Sequence, residues 1–177
     1  MSSRLGIAIA ITFVFVFLSV AGLVVMRSTV DNLQAEPEEG TSVAVALESA
    51  TAAGAPFEGL TEARLAHGDR CLRVAIADED SERVEGLRRV TDLGTFDGML
   101  FVYGADIDAR FTMADTLIPL DIAFFAADGS PIDATTMQPC PEGGDAACPT
   151  YGSREEFRYA LETAGGSGGS GAIGACG

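Results

Sequence analysis

The sequence predicts an α+β protein: a compact, mostly antiparallel β-sheet, barrel-like domain with one short helix, preceded by an N-terminal transmembrane helix. Three observations carry this. Residues 5–26 hold no charged side chain, only Thr12, Ser19 and two glycines among Ile, Val, Phe, Leu, Ala and Met. Beyond residue 60, short runs with apolar residues at every second position recur, the period of a half-buried strand. One stretch, 78–89, instead carries Val84 and Leu87 three apart behind an acidic cap, the spacing of a short helix.

The apolar segment comes first. Its 22 residues, at about 1.5 Å each, span roughly 33 Å as a helix, enough for a hydrocarbon core of about 30 Å. A helix satisfies its own backbone hydrogen bonds, so this composition at this length reads as a spanning signal anchor. Ser19-Val20-Ala21 offers the alternative, a signal peptide cleaved near Ala21 to leave a secreted protein. The apolar run continues past that point through Leu23, Val24, Val25 and Met26, which favours the anchor. Arg4 and Arg27 balance across the segment, so orientation rests on Cys71, Cys140, Cys148 and Cys176. All four lie beyond the helix, and four cysteines in a small domain suit an oxidising compartment. The expected layout is a cytoplasmic start at 1–4, a cell-membrane span at 5–26, a flexible acidic linker at 27–57 and an extracytoplasmic domain at 58–177.

Charge then excludes partners. There is no lysine, and beyond Arg27 nine arginines face all 26 acidic residues, a net of −17. Nothing could neutralise phosphates along a groove, which argues against nucleic acid as a partner and against docking on anionic lipid. The membrane is met through the single N-terminal helix.

Within the domain, Leu72, Val74 and Ile76 alternate over 70–76 and mark the first strand. Asp78 is the expected N-cap of the helix, with Glu79, Asp80 and Glu82 at its positive end. Residues 98–103 form a short apolar run of buried-strand character. The strongest strand is 117–125, with Ile118, Leu120, Ile122 and Phe124 on one face and Pro119 near an edge or bulge. Asp128-Gly129 signals a turn into a strand at 131–138. Phe157, Tyr159 and Leu161 alternate with Arg158, Ala160 and Glu162 in the last strand. From Ala164 onward Gly and Ser dominate, which reads as a flexible tail. Residues 42–47 suit a strand or a short helix equally.

These residues resemble the domain of unknown function family 192, also called uncharacterised protein family 0127. Relatives show a helix ending in Gly-Leu-Met, then Gly-Met-Leu-Phe, then a stretch like Phe-Trp-Met-Lys-Asn-Thr-x-Ile-Pro-Leu-Asp-Ile. Here the corresponding residues are Gly86-Leu87-Arg88, Gly98-Met99-Leu100-Phe101, and Phe111-Thr112-Met113-Ala114-Asp115-Thr116-Leu117-Ile118-Pro119-Leu120-Asp121-Ile122. The closing Tyr-x-Leu-Glu matches Tyr159-Ala160-Leu161-Glu162. The match covers roughly residues 64–174. Arg88 replaces a Met, Val90 an Arg, Thr112 a Trp and Ala114 a Lys, so any binding surface built from those groups is altered here. The chain ends at Cys176-Gly177, where relatives continue into another short strand. The resemblance implies a compact, mainly β domain, often exported, with no established activity.

Candidate chemistry is sparse. Cys140 and Cys148 bracket a loop with two glycines, which suits a structural disulfide worth roughly 2–3 kcal/mol; free or metal-binding thiols are the alternative, and a redox Cys-x-x-Cys is absent. Cys71 and Cys176 then pair by elimination. His67 is the sole histidine, which excludes a zinc site needing two or three imidazoles and leaves His67 as a surface loop residue. There is no Gly-x-Ser-x-Gly elbow. Met99 and Met113 suit a core better than a ligand site. Asp115 and Asp121 are the carboxylates to follow. In an extended strand Asp121 lies opposite the Ile118/Leu120/Ile122/Phe124 face, either as hydrogen-bonded structure or as a polar anchor in a pocket. The candidate ligand-binding set is Met113, Asp115, Thr116 and Asp121, with no metal and no cofactor implied. Together these point to a non-catalytic envelope module binding a small molecule, a glycan or an envelope protein. The alternatives are an acid-dependent hydrolase using Asp115 and Asp121, and a purely structural role.

Overall fold

A computed structural model describes residues 42–140 and 147–177. The expected spanning segment 5–26 and residues 27–41 of the expected linker lie outside the described residues. Among the described residues no helix is long and apolar enough to cross a membrane.

Helix α1 spans Val43–Glu48, and the Ser42 hydroxyl accepts from the Val45 N–H at 3.4 Å. Strand β1 (Thr51–Ala52) follows. Reading 27–57 as wholly flexible is corrected here, because Val43, Ala46, Ala53 and Phe57 are buried. Composition indicated a segment too poor in apolar surface to hold a core of its own. The helix instead lays two residues, Val43 and Ala46, onto a sheet built elsewhere.

Strands β2 (Thr61–His67) and β3 (Arg70–Ala77) form a hairpin. Helix α2 (Asp80–Glu85) then leads through a turn to β4 (Gly98–Ile107). The helix is shorter than 78–89. Its N-cap is Glu79, not Asp78, and the Glu82 carboxylate reaches back to accept from the N–H groups of Asp78 (3.0 Å) and Glu79 (3.1 Å). Gly86, with φ +51°, ends it. Leu87 is buried, but Val84 is 72% exposed, so the expected apolar stripe is half a stripe.

The remaining strands are β5 (Phe111–Thr112), β6 (Leu120–Phe125), β7 (Pro131–Met137), β8 (Thr150–Tyr151), β9 (Phe157–Ala164) and β10 (Ile173–Ala175). The expected strand 117–125 starts only at Leu120, since Leu117 is 42% exposed and Pro119 has no N–H for a ladder. The main sheet runs β1-β2-β3-β4-β9-β6-β7, with β10 also paired to β2, and β5 and β8 form a separate ribbon. Every pairing in it is antiparallel except β3 with β4, where α2 makes the crossover. The pairing path stays open, so the barrel-like closure expected from sequence is not made by strand pairing. The turn between β6 and β7 meets β10, where the Ile173 N–H donates to the Gly129 carbonyl at 2.9 Å.

Register divides the core in two. One face gathers Ala75, Ala77, Met99, Phe101, Leu120, Ile122, Phe124 and Ala160, with Met113 and Phe157. The other gathers Leu65, Leu72, Val74, Ile76, Leu100, Phe125, Tyr159 and Leu161, closed over by α1 and by Ile173 of β10. Side chains alternate across a strand, so a strand in the middle of this sheet is buried on both faces. That is why β9 is buried at nearly every position.

The expected flexible tail is a second correction. Residues 165–172 form a strap pinned across the sheet. The Gly165 N–H donates to the Pro119 carbonyl at 2.8 Å, Arg70 donates to the Ser167 carbonyl at 2.7 Å, and the Gly68 N–H donates to the Ala172 carbonyl at 3.1 Å. A Cβ on Gly169 would lie 2.9 Å from the His67 ring, and one on Gly168 would lie 3.0 Å from Asp121. The glycines are there for close approach, and β10 follows them. Its end is tied to β3, since Cys71 and Cys176 meet in disulfide geometry with Cα atoms 5.7 Å apart. Cys140 and Cys148 likewise meet with Cα atoms 6.0 Å apart.

Candidate functional site

A hollow of about 590 Å³ opens between α2 with its following turn, β4, β5 and the middle of β9. Three arginines line it, Arg83, Arg88 and Arg110, against two rim carboxylates, Asp80 and Glu85. Arg83 pairs with Asp80 and Arg88 with Asp115, so Arg110 is the cation of this cleft with no carboxylate partner among the described residues.

Each arginine is held. Arg83 donates to the Val102 carbonyl at 2.7 Å and to the Asp78 carbonyl, pairs with Asp80 at 2.6 Å, and stacks its guanidinium 5.1 Å from the Tyr103 ring. Arg88 pairs with Asp115 at 3.7 Å. Arg110 uses one nitrogen, Nη2, to donate to the Thr150 carbonyl (3.0 Å) and hydroxyl (3.3 Å). Its remaining N–H groups have no hydrogen-bond partner among the described residues, and a guanidinium offers five donors in a fixed fork. Arg110 is exposed, so these groups face solvent, where an oxyanion can replace water.

Glu162 forms the floor. It is 5% exposed, and burial pushes its carboxyl up to about 8. Among the described residues it has neither an ion-pair partner nor a hydrogen bond. At neutral pH it is therefore a protonated acid, a hydrogen-bond donor and not an anion. Burial also raises the Tyr103 phenol; Arg83 opposes that and Glu162 adds to it. With the buried Thr116 and the half-buried Thr112, the interior is a set of donors. A donor-rich hollow with one arginine, Arg110, outside its ion pairs can bind an anion of small-molecule size.

The candidates chosen from sequence do not assemble into one site. Thr116 lines this cleft. Asp115 is beside it with φ +58°, its carboxylate paired with Arg88 (3.7 Å) and Arg89 (3.4 Å) and its carbonyl accepting the Arg89 N–H at 2.8 Å. Its role is to hold the turn after α2. Met113 and Met99 are core. Asp121 is on the other face of the sheet, accepting from the Thr136 hydroxyl (2.7 Å) and the N–H groups of Gly166 (2.7 Å) and Gly168 (3.0 Å). Burial alone would raise its pKa, but those three hydrogen bonds outweigh it and the net shift is downward. His67, expected on a surface loop, ends β2 and is 3% exposed, a further correction.

Sequence reasoning passed over Glu162 because its position alternates with the apolar residues of 157–162, which suggested a solvent face. It also read Arg88 and Thr112 only as departures from the family pattern. Both line the cleft, so the departures change its chemistry by adding a cation and by replacing a large ring with a hydroxyl.

A family model for an uncharacterised group, DUF192 (Uncharacterized ACR), matches residues 63–173. The chain belongs to the DUF192 family. A crystal structure of a protein of unknown function from Novosphingobium aromaticivorans is similar, with 25% identity, a TM-score of 0.58, and coverage of 72% of this chain and 95% of that one. A candidate transcription regulator from Sinorhizobium meliloti is similar at 27% identity with a TM-score of 0.53, covering 63% of this chain and 90% of that one. No functionally curated protein matches. This DUF192 member therefore shares its fold with those structures, and its cleft must be read on its own residues.

Proposed function

We propose that this DUF192 domain is a non-catalytic binding module, held outside the cytoplasm by a membrane helix over residues 5–26, and that its cleft takes a small anionic molecule. The observation that supports this is the convergence of Arg83, Arg88 and Arg110 on one hollow whose buried acid, Glu162, is uncharged. In a strongly acidic protein, arginines in a cleft oppose the overall field and so mark a local preference for negative charge. The same acidity speaks against nucleic acid as the ligand.

Calorimetric titration of the full chain with phosphate, sulfate and small mono- and dicarboxylates tests the reading. At least one should bind, and Arg110→Gln should weaken it by about tenfold or more, the value of a charge-assisted hydrogen bond. Equal affinity for parent and variant, or no binding by any anion, overturns it. A second reading, hydrolysis, is favoured by one observation, a protonated carboxyl beside Tyr103 that could serve as a general acid. It predicts that a bound ester is cleaved, which product analysis of the same mixtures detects. Asp115 and Asp121, engaged in separate structural roles, are not the residues it would use.

A further inference from the structure

We propose that a second hollow, on the opposite face of the sheet from the anion cleft, is a binding site for a small neutral polyol such as glycerol or a single sugar. Its volume is about 280 Å³. The floor comes from register across three strands. Thr136, Asp121 and Thr163 are side by side on β7, β6 and β9, and Ala134, Ala123 and Leu161 form the next row. One row is polar. The other is apolar and has two alanines, which leave a depression where larger side chains would fill the surface. His67 and the strap residues Gly168 and Gly169 wall it.

His67 is the observation that points to a ligand. The residue is 3% exposed, its ring edge-on to Phe125 at 5.5 Å, and burial followed by the charge of Arg70 lowers its pKa, so the ring is neutral. Nδ1 is sealed beneath the strap without a hydrogen-bond partner. The ring's other nitrogen, Nε2, has none among the described residues either, and it is not sealed. Nε2 is therefore the ring nitrogen that a molecule in the hollow can meet, since Nδ1 lies under Gly169.

Chemistry narrows the occupant. The Asp121 carboxylate repels an anion. Its oxygens already accept from Thr136, Gly166 and Gly168, and no group of metal-ligating side chains occurs among the described residues, so a cation finds no cage. A hydroxyl both donates and accepts, and so pairs with the imidazole nitrogen whichever tautomer is present. The buried Thr163 hydroxyl, also without a partner among the described residues, meets a second one. Carbon-bound hydrogens of a polyol suit the row of Ala134, Ala123 and Leu161. None of this depends on the anion cleft.

The protein's sole histidine makes the test direct. Full chain carrying ¹⁵N-histidine and ¹³C-methyl threonine, in micelles of a detergent without a sugar headgroup, is titrated with glycerol, xylose and glucose. The ring nitrogen signals of His67 and the methyl of Thr163 should move saturably with at least one probe. Thr163→Val should weaken that response by about tenfold or more, and Ala123→Leu, which fills the floor, should abolish it. A free polyol alone or a sugar alone as the active probe supports the site and identifies its source. Unmoved ring signals with all three probes, a bound water only, or a response that persists undiminished in both variants overturns it.

Discussion

Glu162 and Thr163 are neighbours on β9, yet their side chains reach opposite faces of one sheet and line two different cavities. Glu162 pairs across with Met99 and Ile122 over one core, while Thr163 is beside Asp121 over the other. A strand's period of two turns adjacent positions into separate sites. Substitutions at one should leave ligand binding at the other unchanged.

Glu162 should make stability fall as pH rises. Its carboxyl titrates near 8 in the folded chain against 4.5 in the unfolded reference. Between those values the folded state holds a proton that the unfolded state has released, so the favourable difference is full below pH 4.5 and lost as pH approaches 8. The slope is about 1.4 kcal/mol per pH unit. Glu162→Gln removes this dependence and should be more stable than the parent at pH 7 by roughly 2–4 kcal/mol. Urea melts of parent and variant across the range check it. The gap between them should close toward acid pH, and a constant gap contradicts the assignment.

Asp121 should behave as a structural acceptor. It holds Thr136 on β7 and two amides of the strap through one carboxylate. Asp121→Asn keeps one acceptor oxygen and should cost about 1–2 kcal/mol; Asp121→Ala strands all three donors and should cost more. Denaturant melts of the full chain measure both. An alanine variant as stable as the parent would show that the strap does not depend on this residue.

The two cysteine pairs should differ in value. Cys71 and Cys176 are 105 residues apart and Cys140 and Cys148 only 8. In the chain-entropy model the long closure stabilises by about 4–5 kcal/mol and the short one by roughly 2–3 kcal/mol. Non-reducing peptide mapping should find both linked pairs, and Cys71→Ser should lower the melting temperature more than Cys140→Ser. Free thiols at any of the four positions would argue against an oxidising compartment.

Residues 5–26 should keep the chain in the membrane. Carbonate extraction of native membranes is expected to leave full-length protein in the pellet. A soluble form starting near Gly22 would instead mean cleavage after Ala21.

Local pattern in the sequence carried much of this. Period-two alternation located β3, β6 and β9, the specific run around Ile118-Pro119-Leu120-Asp121 was enough to assign the family, and short glycine-bearing spacing suggested the pairing of Cys140 with Cys148 that the geometry allows. These features depend on residues close together in the chain. What tertiary structure alone decided is which faces are covered. Glu162 alternates with apolar residues and so looked solvated, but β9 lies between β4 and β6 with packing on both sides, and that burial keeps its carboxyl protonated. The glycines of 165–171 looked like a free tail because composition records flexibility and not contact; they are where the backbone must approach His67 and Asp121. Arg83, Arg88 and Arg110 are scattered along the chain, and only the crossover from β3 through α2 to β4, with β5 alongside, brings them to one cleft.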